Sequence, residues 1–144
     1  MPAWLIASIL AAIFYGLHNI FTKLAAGKLS DSLGALLLES TAVICILAFY
    51  IYLSITGKKL TDATIQGTTF SILAGICVGI GTILYFFIFR SKGELSIAGP
   101  IILSGGILIM AIAGLSFFRE PFTLQKFLGI ILSITGLILL AGSK

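Results

Sequence analysis

The chain has 144 residues, 59% of them hydrophobic and 10% charged, with a net charge of +4. A soluble domain carries about 25% charged residues, so this composition excludes a soluble globular domain, a disordered tail and a nucleic-acid-binding domain. Nine Lys and Arg against five Asp and Glu read here as charge flanking a membrane, not as a basic binding surface.

A membrane-spanning helix needs about 20 largely apolar residues, and the sequence offers five such runs. They cover about 4–24, 33–53, 69–89, 97–118 and 124–141. The runs are continuous rather than alternating, which excludes a membrane barrel. The expected fold is an all-α membrane protein with five transmembrane helices in one domain over 1–144. The first run lacks a charged leading segment and exceeds the roughly 7–15 apolar residues of a signal peptide, so it reads as a span.

In span one, Tyr15, His18, Asn19 and Thr22 fall at i, i+3, i+4 and i+7, which is one helix face. A polar face on an apolar helix points to a protein interior or a cavity. The loop Ala26–Ser32 follows. Span two carries Glu39 in its apolar run. An ionised carboxylate there costs a few kcal/mol, so Glu39 is a candidate proton- or cation-binding residue. The alternative is a neutral carboxyl, hydrogen-bonded to His18 or to a Ser or Thr, that holds two helices together. His18 and Glu39 each lie about ten residues from the intervening loop, about 6 Å from the bilayer midplane at 1.5 Å per residue. That matched depth lets them face each other across the hairpin.

The second loop runs from Thr56 to Gly67, with Thr61-Asp62 as the start of a short interfacial helix. Span three adds Thr82 and Tyr85 to the candidate site, and Gly75–Gly79 forms a GxxxG pair. Span four begins at Ser96-Ile97-Ala98-Gly99-Pro100, with Pro100 near the helix start, and brings Ser104. In span five, Gly129, Ser133 and Gly136 share a face. Cys45 and Cys77 sit in apolar runs and read as packing residues. No phosphate loop, nucleophile triad or metal-ligand motif is present, which weighs against an enzyme. One His and five acids are too few for an ordinary structural metal site, and no cofactor is implied.

Five spans place the termini on opposite sides. On the N-terminal side, side A, stand Lys58, Lys59, Arg119, Lys126 and the terminal amine. On side B stand Lys23, Lys28, Arg90, Lys92 and Lys144. The positive-inside rule needs an excess on one side, and none exists. Insertion in both orientations, giving an antiparallel homodimer, is one expectation. A single orientation set by other features is the other.

Several stretches resemble one family. Tyr85-Phe86, Arg90-Ser91-Lys92-Gly93, Ser96–Pro100, Phe118-Arg119-Glu120-Pro121-Phe122-Thr123, Gln125–Gly129 and Thr135–Leu139 resemble the EamA domain of the drug/metabolite transporter superfamily. Tyr15-Gly16 with Thr22-Lys23-Leu24-Ala25 resembles its first helix. The resemblance implies a single five-helix unit of the short form, similar in size and logic to the small multidrug resistance proteins, which work as dimers. It implies transport of small organic solutes across a cell membrane, in a prokaryotic inner or plasma membrane. Two features depart from the pattern. Glu39 stands where many members have a basic residue, and span one has no acid. The expected partners are a small-molecule solute, the lipid bilayer and a second copy. The competing expectation is a non-transporting membrane subunit that pairs with other transmembrane chains.

Overall fold

The structure is a computed structural model, and it describes residues 2–57 and 63–142. These form five helices: α1 (Ala3–Ala25), α2 (Asp31–Ile55), α3 (Ile65–Arg90), α4 (Leu95–Ser116) and α5 (Leu124–Gly142). All five are long and apolar enough to cross a membrane. The helix expected at Thr61-Asp62 lies outside the described residues, as do Lys58 and Lys59.

The helices start where side chains can close their free N–H groups. Ser30 accepts from Leu33 N at 3.4 Å, Thr64 from Gly67 N at 3.1 Å, and Thr123 from Lys126 N at 3.2 Å. The Thr64 cap explains why α3 begins at Ile65 rather than 69. Gln66, Gly67, Thr68 and Thr69 make its first turn polar, and hydropathy alone misses it. Pro100 lies inside α4 rather than in its first turn, because the helix already begins at Leu95. The missing N–H therefore leaves a carbonyl of the first turn without its helical donor.

The contacts form two compact units, Met1–Lys92 and Gly93–Lys144. In the first, α3 packs against both α2 and α1, and contacts between α1 and α2 are sparse. Its buried residues cluster where α1 and α3 end and α2 begins: Asn19, Thr22, Gly34, Ala35, Thr82, Phe86 and Phe89. Residues 6–17, 43–52 and 65–78 of the same helices are exposed throughout. Large apolar side chains such as Phe14, Ile46 and Phe70 point outward, while Thr22, Thr82 and Asn19 are buried. That inversion is what lipid as solvent selects. Lipid tails gain nothing by hiding Leu from themselves, so helices associate through close packing and polar contacts.

Gly34 shows how the packing works. A Cβ placed on it would stand 2.4 Å from Phe86 Cε1 and 2.8 Å from Leu29 Cδ1. The absent side chain lets the Phe86 ring lie on the α2 backbone. In the second unit, α4 packs against α5. Their turn wraps back on α4, where Glu120 N donates to Gly114 O at 3.0 Å. The Glu120 carboxyl covers Gly114 and accepts from Lys126 Nζ at 3.1 Å.

Candidate functional site

An ion pair fixes the register of α2 on α3. Arg90 Nε donates to both carboxylate oxygens of Asp31 at 2.9 Å. The two helices are antiparallel, so residues equally far from this pair come level. Glu39 is eight residues after Asp31, and Thr82 is eight before Arg90. Both are about 12 Å along their helices from the ion pair at 1.5 Å per residue. They meet: Thr82 Oγ1 lies 2.5 Å from Glu39 Oε1. Halfway between, Phe86 of α3 fills the gap over Gly34.

The α1–α3 pair runs parallel, and it has its own register. Asn19 stands beside Tyr85, and four residues on, Lys23 Nζ stands 5.2 Å from the centre of the Phe89 ring. His18 meets Tyr85 edge to face at 6.2 Å and Tyr15 at 6.4 Å. Thr22 Oγ1 donates to His18 O at 2.9 Å.

Six of the seven residues singled out in the sequence therefore stand in the first unit. Thr82 joins Glu39, and Tyr85 joins Asn19 and His18. Tyr15 touches the His18 ring but is largely exposed. Of the two partners open to Glu39, His18 or a hydroxyl residue, the structure shows the hydroxyl. The carboxyl is met by Thr82, and among the described residues no hydrogen bond or ion pair joins it to His18. A residue's place along its helix does not fix the rotation of that helix. Packing on α3 turns Glu39 toward Thr82 and His18 toward Tyr85. Ser104 lies half-buried on α4 in the second unit. Sequence reasoning missed the Asp31–Arg90 pair. Both residues flank spans at the same membrane face, and that position was the available signal.

The Thr82 hydroxyl has one hydrogen and two acceptors in reach, Glu39 Oε1 and Val78 O at 3.0 Å. A carboxyl that carries its proton donates to Thr82 Oγ1 and leaves the threonine hydrogen for Val78. An ionised carboxylate takes that hydrogen for itself. Loss or gain of a proton at Glu39 thus reverses the direction of the α2–α3 hydrogen bond.

A groove of about 470 Å³ opens between α1 and α2. Its walls are His18, Phe21, Thr22 and Ala25 on one side and α2 from Gly34 to Cys45 on the other, with Phe86 of α3. Glu39 does not line it. A second cavity of about 500 Å³ lies between α4 and α5, bordered by Glu120, Lys126 and Ser133. No group of three or more His, Cys, Asp or Glu that could hold a metal occurs among the described residues.

Over all 144 residues the chain is 32% identical to uncharacterized protein MJ1333.1 of Methanocaldococcus jannaschii, which it covers end to end. The chain belongs to that protein's family. It is also 27% identical over 141 residues to an uncharacterized transporter of a Sinorhizobium species, covering 96% of both chains. A shorter stretch of 48 residues is 44% identical to uncharacterized protein y4nH of Sinorhizobium fredii, covering 33% of this chain and 41% of that one. No family model and no solved structure matches the chain.

Proposed function

We propose that the protein is a secondary transporter of small organic solutes in the cell membrane, built as a short, single EamA-type unit. One observation carries this reading. A half-buried carboxyl, Glu39, is held between two apolar helices by a hydroxyl whose hydrogen it shares with a backbone carbonyl. Intramembrane acids of this kind serve ion and substrate pathways. The Sinorhizobium relative named as a transporter supports the same class, as does the resemblance of the sequence to EamA domains. In the proposed cycle Glu39 binds a proton or the cationic part of a solute in turn. An antiparallel homodimer supplies the inverted repeat that longer transporters encode in one chain.

The test is substrate-dependent proton release from purified protein, followed by pH-driven uptake in proteoliposomes. Small amines and amphipathic cations are the first probes. Wild type is expected to release protons on binding, and Glu39→Gln is expected to lose pH-driven uptake while keeping its fold. Uptake by Glu39→Gln at the wild-type rate would make Glu39 structural.

A second reading, a non-transporting membrane subunit, is favoured by one fact: Glu39 lines neither described cavity. Under that reading the carboxyl only joins α2 to α3, and no probe solute releases protons.

A further inference from the structure

We propose that the groove between α1 and α2 is a lipid site, holding one acyl chain of an anionic phospholipid from the side B leaflet. The inference rests on the helices spanning the bilayer, and it is independent of whether Glu39 couples transport.

Length is the first argument. On α2 the wall repeats at Gly34, Leu38, Thr41 and Cys45, a stripe at helical spacing. Eleven residues span about 16 Å at 1.5 Å each. One leaflet of a bilayer core is about 15 Å deep. The groove therefore reaches from the Leu29 loop to the depth at which an acyl chain ends.

Chemistry is the second. The hydroxyls in the wall are already spent on their own helices: Thr22 donates to His18 O at 2.9 Å and Thr41 to Leu37 O at 2.8 Å. What remains is apolar apart from the His18 ring. Such a space does not hold water, and left empty its walls lose their dispersion contacts. The two walls touch each other little, since α1 and α2 each pack on α3 instead.

Charge at the mouth is the third. Leu29 lines the groove and Lys28, exposed, is its neighbour in sequence. Lys23, Arg90 and Lys92 belong to the same end of the unit, where among its described residues the Asp31 carboxylate is held by Arg90 at 2.9 Å; Glu94 follows Lys92 by two residues. A phosphate at this end meets excess positive charge.

The experiment uses the full chain in nanodiscs of mixed phosphatidylcholine and phosphatidylglycerol, then native mass spectrometry after release into mild detergent. Wild type is expected to retain one phosphatidylglycerol per chain. Ala42→Phe and Ala25→Leu fill the groove from opposite walls, and each is expected to lower retention roughly tenfold, the effect of about 1.4 kcal/mol. Lys28→Gln is expected to cut the preference for phosphatidylglycerol about fivefold, the worth of one lysine near a membrane surface. Circular dichroism checks that helix content is kept, and if one filling variant misfolds the other decides. Equal retention by wild type and a folded filling variant overturns the proposal. So does a Cys45–Cys45 disulfide between copies of Cys77→Ala, which would place a second copy in the groove. Displacement of the lipid by a small cation in equal amount would assign the groove to solute instead and overturns it as well.

Discussion

Thr82 is the residue on which the α2–α3 contact turns. Its hydroxyl is the described partner of Glu39, and a fully buried acceptor left without its donor costs about 1–3 kcal/mol, an upper bound for the half-buried Glu39. Thr82→Val keeps the shape and removes the hydroxyl. It is expected to lower stability by up to that amount in reversible unfolding in detergent. Thr82→Ser keeps the donor and is expected to stay close to wild type. Gly34 gives a steric counterpart. An added methyl would meet the Phe86 ring at 2.4 Å, and overpacking of this kind costs about 1–3 kcal/mol. Gly75 has nothing within 4 Å of the same position. Gly34→Ala is therefore expected to unfold earlier than wild type, and Gly75→Ala is not. Equal effects would mean that helix propensity, not the Phe86 contact, governs both sites.

The helices of the first unit are packed at one end and bare at the other. The ion pair, the Glu39–Thr82 bond, the approach of Asn19 to Tyr85 and the Phe86–Gly34 contact all fall in the end where α2 begins. Cys77 sits in the bare part of α3 and is exposed. In a bilayer that side chain is expected to react with an apolar maleimide and to resist a charged, membrane-impermeant thiol reagent. Fast labelling by the charged reagent would instead place water along this stretch of α3. Much of this was legible in the sequence. Each of the five runs became a helix, because about 20 apolar residues flanked by Lys, Arg, Gly and Pro have few other solutions in lipid. Glu39, Asn19, Thr82 and Tyr85 were legible because polar groups at depth are scarce. Their pairing was not. Composition gives a residue's height in the membrane, whereas its direction depends on which helix packs beside it. Here α3 lies against both α1 and α2, so Glu39 meets the hydroxyl of Thr82 and not His18.

At the scale of the whole molecule, the open question is which way the chain lies in the membrane. Lys and Arg resist crossing, so an excess in short loops on one side fixes the orientation. On the reading of five spans, side A carries Lys58, Lys59, Arg119 and Lys126, and side B carries Lys23, Lys28, Arg90, Lys92 and Lys144, four against five. Among the described residues, two of these charges are engaged by acids, Arg90 with Asp31 and Lys126 with Glu120. One belongs to each side of that count, so discounting them leaves the two sides one charge apart. Glu and Asp weigh little in the rule, which makes their placement a poor tie-breaker. The expected outcome is dual insertion. A reporter fused after Lys144, alkaline phosphatase for one face and a fluorescent protein for the other, should give signal from both. Two added lysines beside Lys58 and Lys59 should collapse the signal to one side by retaining that loop in the cytoplasm. The same change should abolish transport by removing the oppositely oriented copy, and co-expression with a variant biased the other way should restore it. A wild-type fusion that reports one side only would rule out the antiparallel dimer and leave a parallel pair or a partner chain to complete the transporter.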